Sequence, residues 1–262
     1  MAGTATISFG SITVDSNAQT FLTAASITDV TMTNAVDYIV KQAKTNGWWT
    51  LCKAIYPFVG GTSTTHAINL KTPGTFNLTF TGVTHTSGGA AGNGSTDFAD
   101  TGFNPNTQLT LSSGHLSYYS RTSTVQTETE MGIDNGGSNG FLLRVHFTGL
   151  GTSTDMYNSV DQRVSFDTGS SLGWSMATRT ANNDLRIYRN GNQIGTTNTA
   201  VNANTPQSGN IYLFALNSGG ATQNGGRQCA FATIGDGISP SIAALMYRDI
   251  QNYQKILSRQ VN

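Results

Sequence analysis

The stretch from Asp184 to Thr196 constrains the fold of this chain more than any other. Asn190 and Gly191 lie in it between two segments in which apolar and polar side chains alternate. Asn-Gly at such a position favours a type I′ turn, because both central residues of that turn need a positive φ. The predicted register places Arg189 opposite Asn192, Tyr188 opposite Gln193 and Ile187 opposite Ile194.

This register also sorts the side chains by polarity. It places Leu185, Ile187 and Ile194 on one face of the hairpin, and Arg186 and Tyr188 on the other. The turn chemistry and the hydrophobic pattern therefore predict the same antiparallel strand pair.

The composition favours an all-β chain. Charged residues make up 11% of the 262 residues, against the usual figure of about 25%, and Gly, Ser, Thr and Asn are abundant. Such a composition suits many short strands joined by tight turns. The 14 basic and 14 acidic residues balance, and no basic run is present, so nucleic acid is excluded as a partner.

The order of patterns along the chain predicts two segments. Residues 1–30 are predicted to form one or two short strands, 4–14 and 19–22, that attach to the main body or to another chain. A helix is predicted to begin at Asn34 as its N-cap and to end at Asn46-Gly47. Next to it, at least one of Trp48 and Trp49 is interpreted as a core residue, with a sugar-stacking surface as the alternative.

Turn residues punctuate the chain from His66 onward. The predicted strands are 66–70, 75–80, 108–111, 116–121, 126–133, 141–147, 164–166, 174–179, 211–216 and 229–234. Strand 141–147 alternates and is predicted to be half-buried, whereas strand 211–216 is apolar on both faces and is predicted to be central. The long connections are 86–106, 134–140, 149–159, 200–209 and 217–227.

The chain closes with a predicted helix. Ser239 is the predicted N-cap and Pro240 the first helical residue, followed by an apolar stripe. That stripe needs a surface to cover, either the sandwich or a neighbouring subunit. The predicted organisation is an N-terminal strand and helix segment, 1–52, for attachment or assembly, followed by one sandwich domain with its terminal helix, 53–262.

The cysteines and the search for targeting signals indicate where the chain is made. Cys52 and Cys229 are interpreted as two buried free thiols, with a single disulfide as the alternative. The sequence shows no secretory signal and no apolar run long enough for a membrane span. We therefore expect a soluble chain made in the cytoplasm, which can act outside a cell as part of a particle.

Several ordered segments resemble a known family. They are 173–180 (Gly-Trp-Ser-Met-Ala-Thr-Arg-Thr), 185–191 (Leu-Arg-Ile-Tyr-Arg-Asn-Gly) and 210–217 (Asn-Ile-Tyr-Leu-Phe-Ala-Leu-Asn). They resemble the later strands of concanavalin A-like (laminin G-like) jelly-roll domains. Segments 53–61, 231–239 and 256–261 look like the opening and closing parts of such domains in bacteriophage virion and tail-associated proteins.

The resemblance implies an antiparallel two-sheet jelly-roll sandwich, here with an N-terminal and a C-terminal helix. It implies binding of carbohydrate or of a protein partner, and sometimes of a calcium ion. The sequence has no recognisable set of calcium ligands, so no cofactor is predicted. Asp97, Asp100 and Asn104 are the candidates for binding calcium or a glycan hydroxyl, although Asx turns are the preferred interpretation of all three.

The sequence does not predict catalysis. Glu128 and Glu130 share a strand face and Asp134 follows four residues later, which approaches the glucanase pattern with the wrong identities and spacing. A retaining glycosidase needs two carboxyl groups about 5 Å apart beside a sugar. The four histidines, His66, His85, His115 and His146, are isolated in the sequence, and no metal motif is present.

The sequence thus predicts a bacteriophage virion structural protein, associated with capsid or tail and located in the virion. Other virion proteins, further copies of the chain and host-surface glycan are the expected partners. The alternatives are a free lectin-like module and a glycan hydrolase on the same sandwich.

Overall fold

The computed structural model describes residues 13–134, 139–158, 163–198 and 208–261. These ranges contain five helices, two of which are single short turns of chain. The helices are α1 Ser16–Ala24, α2 Val30–Thr45, α3 Ser63–Ala67, α4 Pro105–Gln108 and α5 Pro240–Ile256.

The same ranges contain seventeen strands, most of them short. They are β1 Cys52–Tyr56, β2 Thr79–Thr81, β3 Thr84–Thr86, β4 Gly89–Ala91, β5 Phe98–Asp100, β6 Gly114–Ser120, β7 Met131–Ile133, β8 Phe141–Phe147, β9 Gly151–Met156, β10 Val164–Phe166, β11 Gly173–Ala181, β12 Asp184–Arg189, β13 Asn192–Thr197, β14 Tyr212–Leu213, β15 Leu216–Asn217, β16 Ala221–Thr222 and β17 Cys229–Gly235.

The strands form two sheets. The first sheet has the order β13-β12-β11-β6-β17-β4-β3, with β1 also beside β17. The second has the order β10-β9-β8-β7-β14-β5-β2, with the β15–β16 hairpin attached at β7. The pairings are antiparallel apart from that of β15 with β7. The predicted all-β two-sheet sandwich with a helix near each end is therefore confirmed.

Two apolar cores hold these layers together. One lies between the sheets and includes Leu185 and Ile187 of the first sheet and Leu143 of the second. The other lies between the first sheet and the helices, where Trp174 packs in the same cluster as Ile250 of α5. Because successive side chains of a strand point to opposite faces, one sheet can supply both cores. The molecule therefore has three layers: helices, first sheet and second sheet.

The predicted hairpin is present, with one correction to its register. Arg189 is opposite Asn192 and Tyr188 is opposite Gln193, as predicted, but Ile187 is opposite Gly195 rather than Ile194. The shift is a β-bulge, in which one strand carries an extra residue. The bulge leaves Ile194 only partly buried against the inter-sheet core.

The N-terminal predictions need two corrections. Residues 19–22 belong to α1 rather than to a strand, and most of the predicted strand 4–14 lies outside the described residues. Helix α2 ends at Asn46 and Gly47 as predicted, but its N-cap is Asp29, so Asn34 lies inside the helix. Asp29 caps it because its carboxylate accepts a hydrogen bond from Met32 N–H at 2.9 Å.

Five predicted strands are confirmed in substance, namely 116–121, 141–147, 164–166, 174–179 and 229–234. Strands 75–80 and 126–133 are present only as β2 and β7 at their C-terminal ends. The prediction is wrong for 66–70 and 108–111, which overlap α3 and α4, because Thr62 and Asn104 cap short helices there.

Four other predictions about strands and connections are wrong. Segment 211–216 is divided between β14 and β15, because Phe214 between them has a φ of 64°. The predicted connection 149–159 contains β9. The predicted connection 86–106 contains β4, β5 and α4, and 217–227 contains β16.

The C-terminal helix and the tryptophans agree with the sequence. Helix α5 begins at Pro240 after Ser239, and its apolar stripe covers the first sheet. Trp48 is fully buried and donates its Nε1–H to Asp249 at 3.0 Å, so the core interpretation is confirmed. Cys52 and Cys229 are both free and buried, also as predicted.

The division into 1–52 and 53–262 stays a prediction, although one core combines residues from both segments. In the parts of the chain that are described, no helix has the length and apolar character needed to cross a bilayer.

Candidate functional site

The three predicted site residues lie at or near the ends of β5. Asp97 precedes the strand, is 6% exposed and accepts a hydrogen bond from Thr96 Oγ1 at 3.3 Å. Asp100 ends the strand, and its Oδ1 accepts the Gly102 N–H at 2.8 Å. Asn104 caps α4 by accepting the Asn106 N–H at 3.0 Å. Asp100 and Asn104 therefore form Asx-type turns.

The described residues show no group of three or more His, Cys, Asp or Glu side chains placed to hold a metal ion. The candidate site described next is built from aromatic and polar side chains.

An aromatic pair lies directly beside Asp100. Phe98 of β5 and Tyr212 of β14 stack with ring centroids 4.7 Å apart and 25° between the ring planes. Their neighbours Ala99 and Leu213 point into the inter-sheet core. Phe98 and Tyr212 therefore lie on the outer face of the second sheet, where both are half-buried.

Polar groups surround this pair. Asp100 is opposite Tyr212 in the sheet, and its Oδ2 accepts a hydrogen bond from Asn210 Nδ2 at 3.2 Å. On the next strand the exposed Thr79 and Thr81 are opposite Asp100 and Phe98. Burial, and then the charge of Asp100, raise the pKa of Tyr212, so its hydroxyl is a hydrogen-bond donor at neutral pH.

We call these residues, Phe98, Asp100, Asn210 and Tyr212, the aromatic patch. Half-buried rings beside a carboxylate and an amide suit a ligand with apolar C–H faces and hydroxyl groups. Of the predicted trio, only Asp100 belongs to the patch. Sequence reasoning missed both rings: Tyr212 was assigned to a central strand, and Phe98 to a loop. The alternation in Phe98-Ala99-Asp100 was a signal that could have identified β5.

A polar cluster occupies another part of the same sheet face. Arg144 of β8 donates its Nε–H to Thr129 Oγ1 at 3.2 Å, and its Nη1 lies 3.7 Å from Asp155 Oδ2. Arg163 donates its Nε–H to Asp155 Oδ1 at 3.0 Å. Burial lowers the pKa of Arg144 to about 10 and raises the pKa of Asp155 against the opposing effect of Arg163.

This cluster corrects the prediction for strand 141–147. Leu142, Arg144 and His146 on its outer face are 0%, 4% and 5% exposed, so the strand is buried on both faces rather than half-buried. A ligand on the surface cannot reach side chains with so little exposure. The cluster therefore stabilises the sheet.

Glu128 and Glu130 both form ion pairs with a buried arginine. Arg227 Nη1 contacts Glu130 Oε1 directly and lies 3.4 Å from Glu128 Oε2. The second oxygen of Glu130 accepts the Val145 N–H at 2.5 Å. The two glutamates are 3% and 1% exposed. Burial raises the pKa of Glu128, while the charge of Arg227 opposes that shift.

Comparison with models of protein families and with curated proteins gives no match. Solved structures are similar in fold. Domain 4 of AbnA, a GH43 extracellular arabinanase from Geobacillus stearothermophilus solved in complex with arabinotriose, is 13% identical. It matches 75% of this chain and 98% of its own, with a TM-score of 0.50.

Two further solved structures match parts of this chain. A mutant of HCR/D is 12% identical over 76% of this chain and 52% of its own, with a TM-score of 0.51. The Ruminococcus gnavus IT-sialidase CBM40 is 14% identical over 54% of this chain and 89% of its own, with a TM-score of 0.38. At these identities the likeness of the two structures with TM-scores of 0.50 and 0.51 shows the fold alone, which is a two-sheet β-sandwich.

Proposed function

We propose that the chain is a carbohydrate-binding sandwich whose aromatic patch contacts the glycan. The observation that carries this proposal is the stacked, half-buried Phe98–Tyr212 pair next to the hydrogen-bonded Asp100 and Asn210. A pyranose or furanose ring offers a C–H face to an aromatic ring and hydroxyl groups to a carboxylate or an amide. Both kinds of partner occur together at this place on the sheet.

The fold gives general support. A domain of similar fold, from the arabinanase, was solved with a bound arabinotriose. A sandwich of this size can therefore accommodate a short oligosaccharide. A glycan array would identify the sugar that the chain binds.

Binding should be tested with the purified chain on a glycan array and by titration calorimetry of the hits. Tyr212→Ala should weaken binding about tenfold, because loss of an aromatic contact worth about 1.4 kcal/mol corresponds to that factor. Tyr212→Phe keeps the stack and should retain most of the affinity. Asp100→Asn keeps an acceptor for the Gly102 N–H and should weaken binding through the lost charge.

Phe166→Ala is the matched control. Phe166 is an aromatic residue of the same sheet, is 50% exposed and lies on the opposite edge strand, β10. Its removal should leave the affinity unchanged. Equal affinities of Tyr212→Ala and the unmodified chain, with both folded by circular dichroism, would contradict the proposal.

We further propose that the chain is a bacteriophage virion protein, attached to a capsid or tail together with other virion proteins and with copies of itself. The resemblance of segments 53–61, 231–239 and 256–261 to the opening and closing parts of phage virion and tail-associated domains supports this assignment. The helical layer offers an attachment side away from the aromatic patch, which lies on the outer face of the second sheet.

The virion assignment is tested separately from glycan binding. An antibody raised against the chain should detect it in particles purified by density gradient, at a fixed ratio to the major capsid protein. Recovery only in the soluble fraction would contradict this assignment and would favour a free lectin-like module.

We also propose that the chain binds glycans without hydrolysing them. Both Glu128 and Glu130 are buried against Arg227, whereas a catalytic carboxylate has to contact the sugar. Prolonged incubation of the chain with the glycans it binds should release no new reducing ends. Product release that disappears in Glu128→Gln would instead support the hydrolase alternative.

A further inference from the structure

Arg179 is a buried arginine with very few partners. It lies in β11, two residues beyond Ala177, which belongs to the inter-sheet core, so its side chain enters the space between the sheets. Its neighbours across the two adjacent strands are Leu185 and Gly114. Arg179 is 1% exposed.

Within the described ranges its guanidinium makes one hydrogen bond, from Nη1 to the carbonyl of Asn182 at 2.7 Å. Nε and Nη2 are buried and have no hydrogen-bond partner among the described residues. Asp184 is the acid whose charge acts on Arg179. The carboxylate of Asp184 is engaged elsewhere, because it accepts hydrogen bonds from Arg186 Nε and Thr180 Oγ1.

Other buried arginines of the described chain are better satisfied. Arg227 forms an ion pair with Glu130, and Arg144 forms one with Asp155. Arg259 has no acid, but its donors reach five acceptors, which are Gln254 Oε1 and the carbonyls of Pro57, Phe58, Ser87 and Ala230. Among the described residues, Arg179 therefore differs from them in having neither an ion pair with a carboxylate nor a set of acceptors.

The unpartnered edge has a specific shape. Nε–H and Nη2–H lie side by side on the guanidinium and point in nearly parallel directions, which is the arrangement that binds an anion through two hydrogen bonds. A buried cation without a partner is costly, whereas one paired with an anion is much less so. Burial lowers the pKa of Arg179 to about 10, so the group remains a cation at neutral pH.

The surroundings restrict the kind of anion. Leu185 is part of the inter-sheet core, and a side chain at Gly114 would meet Phe141 and Leu109. These apolar neighbours favour a small ion, and a single negative charge is what one arginine neutralises.

From this geometry we propose that Arg179 holds a small inorganic monoanion of the chloride type, bound through its Nε–H and Nη2–H inside the sandwich. The ion is a structural ligand of the fold. It is separate from the aromatic patch and independent of glycan binding.

Thermal unfolding at constant ionic strength tests the proposal. Sodium chloride should progressively replace sodium gluconate, whose anion is too large for an enclosed position. The melting temperature of the unmodified chain should rise by about 3–5 °C for each tenfold increase in chloride above its dissociation constant. An equal melting temperature across the series would overturn the proposal.

Two variants separate the site from general salt effects. Arg179→Met should abolish the chloride dependence and, because it removes an unpaired buried cation, should stay folded in gluconate. Arg189→Met, which alters another buried arginine of the first sheet, should keep the slope of the unmodified chain even if its melting temperature is lower. A slope in Arg179→Met equal to that of the unmodified chain would overturn the proposal.

A measurement on the unmodified chain keeps the proposal testable if Arg179→Met fails to fold. Crystals grown in sodium bromide should show an anomalous scattering peak within hydrogen-bonding distance of Arg179 Nε and Nη2. Bromide peaks at surface positions only, with none at Arg179, would overturn the proposal.

Discussion

At the scale of single residues, His66 and His85 form a pair that has to be neutral. Their Nδ1 atoms lie 3.0 Å apart, and His66 Nε2 accepts the Gly61 N–H at 3.2 Å. His66 therefore carries its proton on Nδ1 and donates it to His85. A second proton on His66 would remove the acceptor that Gly61 uses. Burial, and then the charges of His85 and Arg259, lower the pKa of His66 to about 3.

This pair predicts a loss of stability in mild acid. The pKa of His66 in the folded chain is below the usual 6.5, so the unfolded chain binds the proton first as the pH falls. The contribution of His66 to the free energy of unfolding is therefore greatest above about pH 6.5, and it falls by about 1.4 kcal/mol per pH unit below that value. Urea unfolding between about pH 6.5 and pH 5 measures this slope.

His66→Gln is the comparison variant. It should flatten the slope by about one proton, which is the same 1.4 kcal/mol per pH unit. His115, whose pKa burial lowers to about 4, should supply part of the slope that remains. Identical slopes in the variant and the unmodified chain would show that His66 titrates normally when folded.

The histidine pair also shows what sequence reasoning lacks at this scale. His66 and His85 are 19 residues apart, on α3 and β3, and the sequence predicts a strand over 66–70, where α3 ends. No spacing rule joins two such residues. The same holds for Glu130 and Arg227, which meet only because the Gly225–Arg227 segment and β7 converge in the fold.

At the scale of elements, the ends of helices and strands decide which predictions succeed. The Asn-Gly turn and the Gly47 helix end were predicted correctly, because the residue types at those positions match the conformations required. The start of α2 was placed too late, since Val30, Thr31 and Thr33 are poor helix formers and conceal the first turn. The sequence gives no sign that segment 211–216 is interrupted at Phe214, because phenylalanine rarely adopts the positive φ found there.

The two possible N-caps of α2 give a direct test. Asp29→Ala should lower the free energy of unfolding by about 1 kcal/mol, because Met32 N–H loses its acceptor. Asn34→Ala should leave it unchanged or raise it by a few tenths of a kcal/mol, because Asn34 lies inside the helix, where alanine is the better residue. Chemical denaturation of both variants checks this, and the reverse ranking would place the cap at Asn34.

At the scale of the whole molecule, the sequence predicted the sandwich and the helices that flank it. It left open whether the stripe of α5 covers the sandwich or a neighbour. The structure shows that α5 and α2 pack together over the first sheet, in one core with Phe231. Hydrophobic periodicity identifies which residues of a helix must be buried. The surface on which they pack depends on contacts between distant parts of the chain, which periodicity does not reveal.

The shared core makes a prediction about folding. Ile39 of α2 is fully buried in the same cluster as residues of the first sheet, so 1–52 should unfold together with the sandwich. Ile39→Ala should lower the free energy of unfolding by about 2–5 kcal/mol and should shift a single transition. Tryptophan fluorescence and far-ultraviolet circular dichroism should give coincident curves. Two separate transitions, with only the earlier one shifted by Ile39→Ala, would show that 1–52 is an independent unit.

The helical layer on the first sheet gives the molecule a back and a front. A partner protein that binds the outer side of α2 and α5 would leave Phe98 and Tyr212 on the side of the molecule that faces away from it. An array of such molecules, mounted the same way round on a common support, would turn every ring pair outward at once. Weak individual contacts with a sugar-coated surface would then add up to firm adhesion, because each bound copy keeps its neighbours within reach of the next sugar.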